Sequence, residues 1–249
     1  ADELVSPFWW GCQELFGLNP SCPARLAPLN AQLARLSPLP VPLVLRTGAV
    51  AGRRCAVMER LPGERLADFG ALPVAAAGAL GRAIARIHRQ QFAWWGRPDG
   101  REQRSLDTFH ARLSAVMRQL VRRFYAHDAA IATALAPACA MAAALPAPEC
   151  AALVMLDVDA TQFLTAGSRL TALVDTDAYA VAPRALDFIG YEYELDAERA
   201  AAFAHAYRTI LPLPDLAAVR PVYRYFYRLM EVQGAVNLAE WLHWPVYFE

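Results

Sequence analysis

The residues of this sequence best suited to chemistry are acids that close two apolar runs. In AALVMLDVDATQFLTAGSRLTALVDTDAYAVAPRAL, residues 151–186, the run 151–156 ends on Asp157 and Asp159, and the run 170–174 ends on Asp175 and Asp177. Both runs have the length and composition of short buried strands, and Ala166-Gly167-Ser168 between them suits a hairpin turn. The pattern therefore brings four carboxylates to one end of an apolar layer. Carboxylates that close repel one another in apolar surroundings, and a divalent cation or a shared proton relieves the repulsion. The competing reading is that acids at strand ends only cap loops by accepting backbone N–H bonds.

Positioning those acids falls to a chain of 249 residues, enough for one large or two-lobed globular unit. Hydrophobic residues at 56% and charged residues at 19% exclude a disordered chain. With 24 basic and 24 acidic residues the formal net charge is zero, which gives no electrostatic case for nucleic acid or a membrane surface as partner. Every basic residue is Arg; the chain contains no Lys. Its five cysteines are scattered, odd in number and without a C-x-x-C pair, and read as reduced core thiols of a cytoplasmic protein. The five histidines lack metal-ligand spacing and read as packing or surface residues. No apolar run reaches the ~20 residues of a membrane span, and the first residues carry no signal-peptide pattern.

The elements follow from periodicity and breakers. Residues 1–40 are punctuated by prolines and leave room for one modest helix at 27–36, with Phe8, Trp9 and Trp10 as anchors of a small lobe. Two strands, 43–47 and 54–59, flank a turn at Ala51-Gly52, and Pro62-Gly63 ends the second. Helices are expected at 73–91, 106–127, 129–145, 186–193, 196–210 and 216–242, with a loop at 92–105 whose Trp94 and Trp95 either pack in the core or wall a pocket. The aromatic tail 243–249 is expected to dock.

In order and spacing these motifs resemble the aminoglycoside phosphotransferase and choline kinase family, small-molecule kinases with a protein-kinase-like fold. The family segment L-V-H-G-D-x-x-x-x-N, followed by two hydrophobic residues, corresponds to LVMLDVDATQFL; its Gly turn and hydrophobic-I-D-x-[DE] to AGSRLTALVDTD; its D-P-x-x-D to APRALDF; its helix L-G-x-x-L-A-x-L-H to LGRAIARIH. The resemblance implies an α+β, two-lobed fold with a truncated small β lobe and hinge over residues 1–61. A large, mainly helical lobe over 62–249 would carry the catalytic-loop-like segment 151–187. It implies Asp157 as the catalytic residue that orients or deprotonates an acceptor hydroxyl, Asp175 and Gln162 as magnesium ligands, and Asp187 as a brace for the loop. Asp159 and Asp177 are candidates for additional acidic ligands. The backbone of Met58, Glu59, Arg60 and Leu61 would form the hinge that receives the adenine of ATP.

The departures from the family pattern define a second reading. Met155 and Leu156 replace His and Gly, Gln162 replaces Asn, no Gly-rich loop precedes the first hairpin, and the helix at 27–36 holds Asn30 and Gln32 but no acid. The Lys that grips nucleotide phosphates in such enzymes has no counterpart, and Arg differs from it in reach and geometry. An arginine such as Arg46 or Arg54 is the candidate to reach the phosphates. The chain is thus expected to be an ATP- and Mg2+-dependent phosphotransferase acting on a small-molecule acceptor; the alternative is a pseudokinase that serves as a binding or regulatory module.

Overall fold

The computed structural model describes residues 5–249. Ser6 accepts a hydrogen bond from Trp9 N at 3.2 Å and starts helix α1, Pro7–Phe16, with a proline in the first turn and Gly17 in the left-handed region as its stop. This helix was not expected from the proline-rich sequence. It packs against helices α4, Phe109–Phe124, and α8, Arg220–Met230, so Trp10 meets Phe124 of the helical part and not a small-lobe core. Helix α2, Leu26–Leu36, follows one 3-10 turn and lies where periodicity placed it.

Strands β1, Val44–Val50, and β2, Arg53–Met58, form a separate antiparallel ribbon around the Ala51-Gly52 turn, where both residues have positive φ. Most of the ribbon is exposed, including Leu45 and Val50. Beyond it, β3, Glu64–Arg65, pairs with β7, Phe163–Ala166, which pairs with β8, Arg169–Leu173. A second sheet has the order β5-β4-β9-β6, from Gln103–Ser105, Trp94–Gly96, Tyr179–Ala182 and Ala152–Met155.

This arrangement corrects the pairing expected across residues 166–168. The run 151–156 is β6 and pairs with β9, while the hairpin partner of β8 is β7. The reason is local: Asp159 accepts hydrogen bonds from Thr161 and closes a 3-10 turn over Ala160–Gln162, which ends one strand and lets Phe163 start another. The loop 92–105 likewise contains β4 and β5, and Trp95 is fully buried in the core.

The remaining helices are α3, Val74–His88; α5, Ala129–Ala144; α6, Ala185–Glu194; α7, Ala197–Arg208; and α9, Leu238–Leu242. The expected helix 216–242 is divided: Glu231 adopts φ 55 and closes α8, and Asn237 caps α9. The tail is docked by Phe248, buried against Phe188 and Phe203, while Trp244 stays partly exposed. Helices α3 and α7 make the most extensive contact in the molecule. At its centre Gly81 lies so near α7 that a Cβ there would run into the Phe203 carbonyl oxygen. All five cysteines are free thiols, and among the described residues no helix is long and apolar enough to cross a membrane.

Candidate active site

The loop after β6 carries Asp157, half-buried, and the loop after β8 carries Asp175, exposed, and Asp177, half-buried. Burial raises the Asp157 pKa to about 6, and the nearby charges of Asp159 and Asp175 push it the same way. Burial also raises Asp177; Arg25 opposes that rise and Asp175 adds to it. Asp157 and Asp177 are thus each within electrostatic reach of Asp175. Asp175 has a left-handed backbone, φ 55, a conformation that Asp tolerates better than most residues.

Gln162 connects the two loops. Its carbonyl accepts a 2.7 Å hydrogen bond from Val174 N, next to Asp175, and its side-chain Oε1 is buried with no hydrogen-bond partner. A buried amide oxygen without a donor is costly and is the kind of oxygen a hard cation takes as ligand. Among the described residues no three His, Cys, Asp or Glu side chains are grouped for a metal. An all-oxygen set from Asp175 and the Gln162 amide nevertheless fits magnesium, which holds few protein ligands and keeps several waters. Asp159 is differently employed: its Oδ1 accepts from Thr161 N at 2.6 Å, the capping role that was the competing reading for these acids.

Behind the loop, Asp187 is fully buried and bonded on both oxygens: Oδ1 accepts from Met155 N at 2.7 Å and Oδ2 meets His88 Nε2 at 2.9 Å. His88 Nδ1 continues to the Tyr207 hydroxyl at 2.9 Å, to which Arg184 donates at 3.0 Å. Burial raises the Asp187 pKa, against the lowering effect of His88 and the Met155 N–H. His88 is thus more than a packing histidine: it ties the end of α3 to the acid that holds β6.

Three further residues escaped the sequence reading. Asn30 of α2 is buried, donates to Pro42 O at 2.8 Å and accepts from the Thr176 hydroxyl, between Asp175 and Asp177. Glu194, at the end of α6, is raised to about 7, first by burial and then by Asp159, Asp157 and Asp68, against a hydrogen bond from Gln233. Arg25 meets the field of Asp177. None stands in a local pattern; each reaches the loops through the fold. Of the expected hinge, Met58 and Leu61 are half-buried, Glu59 and Arg60 are exposed, and Glu59 N donates to Leu43 O at 2.8 Å. A cavity of about 1020 Å3 lies elsewhere, among α5, α8 and the C-terminal segment, and none of these acids lines it.

Residues 24–222, about four-fifths of the chain, match the phosphotransferase enzyme family. Similar solved structures include a macrolide 2′-phosphotransferase of Brachybacterium faecium, 20% identical over 92% of this chain and 83% of its own, with a TM-score of 0.56. The GDP complex of an aminoglycoside 2′-phosphotransferase is 14% identical over 84% and 72%, with a TM-score of 0.60. A putative fructosamine-3-kinase of Haemophilus somnus is 14% identical over 89% and 78%, also at 0.60. Comparison with curated proteins by sequence finds no match.

Proposed function

The chain belongs to the phosphotransferase enzyme family, and from that premise we propose that it transfers the terminal phosphoryl group of ATP to a hydroxyl of a small, cationic acceptor. Its fold is the α+β, protein-kinase-like one that the resemblance implied. The observation that carries the proposal is the junction of the two acid-bearing loops at Gln162, whose carbonyl accepts from Val174 N beside Asp175 and whose Oε1 is buried without a partner, with Asp157 in the field of Asp175.

Asp157 is the base. At pH 7 to 8 a carboxyl with a pKa of about 6 is largely ionised and still basic enough to orient an acceptor hydroxyl and take its proton. The acceptor oxygen bonds to phosphorus as the bond from phosphorus to the nucleotide oxygen breaks, and the nucleoside diphosphate leaves with that electron pair. Asp175 and Gln162 would hold magnesium, which supplies neutralisation of phosphate charge. Asp187 and His88 keep the loop in place through Met155 N. Asp159 beside Asp157, and Glu194 in the field of Asp157, Asp159 and Asp68, add negative potential around the loop, which favours an acceptor bearing an amine. Met58, Glu59, Arg60 and Leu61 link the ribbon to β3, which supports their role as hinge and a division into 1–61 and 62–249. Helix α1 is the exception, since it packs on the larger part. Free thiols throughout suit a cytoplasmic protein.

Calorimetric titration with Mg-ATP and Mg-GTP, beside Asp175→Asn, tests the reading. Binding by the wild type and its loss in the variant support it, and phosphoryl transfer to members of an amine-bearing alcohol panel would complete it. Absence of binding at millimolar nucleotide would sink it and leave the pseudokinase alternative.

A further inference from the structure

Transfer from a nucleotide needs positive charge around the phosphates, and this chain has no Lys to provide it. Between the tip of the β1–β2 ribbon and the segment joining α1 to α2 lies a polar cleft of about 810 Å3, with Arg53 and Arg54 on one wall and Asn19, Ser21 and Cys22 on the other. Both arginines are exposed, and neither is in an ion pair among the described residues. Arg46, further along the ribbon, does not line the cleft.

The opposite wall is held from below by Arg25. Its Nε donates to Asn19 O at 3.2 Å, its side chain is only 8% exposed, and its Nη1 is buried with no hydrogen-bond partner. Asp177 exerts the strongest attraction on it, and Asp177 in turn feels Asp175. Arg25 thus links the acids of the β8 loop to the wall of the cleft.

We propose that Arg53 and Arg54 grip the phosphate chain of the nucleotide across this cleft, with Arg25 as the positioning residue that fixes its far wall. The inference rests on the phosphotransferase reading and names the groups that act where a lysine is missing. Guanidinium suits this role, since its planar fork binds two phosphate oxygens at once and is less strongly hydrated than an ammonium.

The inference is tested by calorimetric titration of the full chain with two probes, Mg-ATP and metal-free tripolyphosphate. The proteins are wild type, Arg53→Ala/Arg54→Ala, Arg25→Lys, Arg25→Gln, and Arg118→Ala as a charge control on the exposed face of α4. Loss of both tip arginines is expected to weaken each probe by roughly tenfold to a hundredfold, with Arg118→Ala unchanged. Arg25→Gln should weaken both probes by about tenfold, and Arg25→Lys, which keeps the charge facing Asp177 but lacks the Nε donor to Asn19 O, should restore part of that loss, whereas a charge-independent packing role would treat the two variants alike. Should Arg25→Gln fail to fold, the exposed tip pair decides alone. Mg-ATP binding that is indifferent to Arg53 and Arg54 overturns the inference and leaves the phosphotransferase reading standing. Arginine-dependent tripolyphosphate binding without any nucleotide binding upholds the inference and removes that reading. A wild type that binds neither probe overturns both.

Discussion

Asp157 holds its proton up to about pH 6 because burial, Asp159 and Asp175 all disfavour its charge. The folded-state pKa lies above the ordinary 3.8, so the stability this group contributes is fully present below about pH 4 and is lost as pH rises through about 6. Asp157→Asn should therefore melt higher than the wild type at pH 8, by roughly 1–2 kcal/mol after allowance for solvent screening, and the gap should close near pH 4. The same variant should lose roughly 10²- to 10⁴-fold in kcat, and the wild-type rate should rise along an acid limb centred near pH 6. Thermal melts and initial rates across pH check both arms. Asp187→Ala leaves His88 and Met155 N without a buried acceptor, and denaturant titration should show a loss of about 3–5 kcal/mol. Asp157 and Asp175 were legible in the sequence because each ends an apolar run, whereas Asp187 was reached only through the family resemblance. Glu194 was not legible, since its neighbours Asp68, Asp157 and Asp159 come from other loops and meet it only in the fold.

Among the elements, α2 acts as a support for the β8 loop, through Asn30 and Thr176. Asn30→Ala should cost about 1–3 kcal/mol for the buried partners it strands. It should also lower kcat with little change in acceptor KM, which steady-state kinetics separates. The β1–β2 ribbon is two-stranded and largely exposed, whereas β6 and β9 are buried along their whole length. Hydrogen exchange should accordingly free the ribbon amides well before those of β6 and β9. Periodicity placed the ribbon and most helices within a few residues, because Gly, Pro and capping acids mark their ends. It failed at the pairing of 151–156, where a three-residue turn capped by Asp159 creates β7 and sends β6 to another sheet. It failed again at Glu231, whose left-handed backbone ends α8 at a residue type that does not announce it, although Gly234 and the capping Asn237 follow before α9.

Over the whole molecule, both ends of the described chain are drawn onto the helical part. Helix α1 is received by α4 and α8, and Arg112 and Arg104 donate to the carbonyls of Glu14 and Leu15 near its end, each at 2.7 Å. At the other end Glu192, fully buried, accepts from Arg220 and Arg224 and from the backbone of Tyr247 and Phe248. Such long-range closures leave no periodic trace, so the layering of the large lobe was readable while its wrapping was not. The contact of α3 with α7 at Gly81 carries a warning for anyone who would engineer this protein for heat resistance. A helical glycine is an obvious first target, since alanine ordinarily gains about 0.5–1 kcal/mol there. Here the added methyl meets the Phe203 carbonyl, and Gly81→Ala should instead lower the melting point, at a cost of about 1–3 kcal/mol. Because α3 ends on His88, the displaced helix would also pull on Asp187, so a substitution chosen for robustness would be felt as lost turnover two helical turns away.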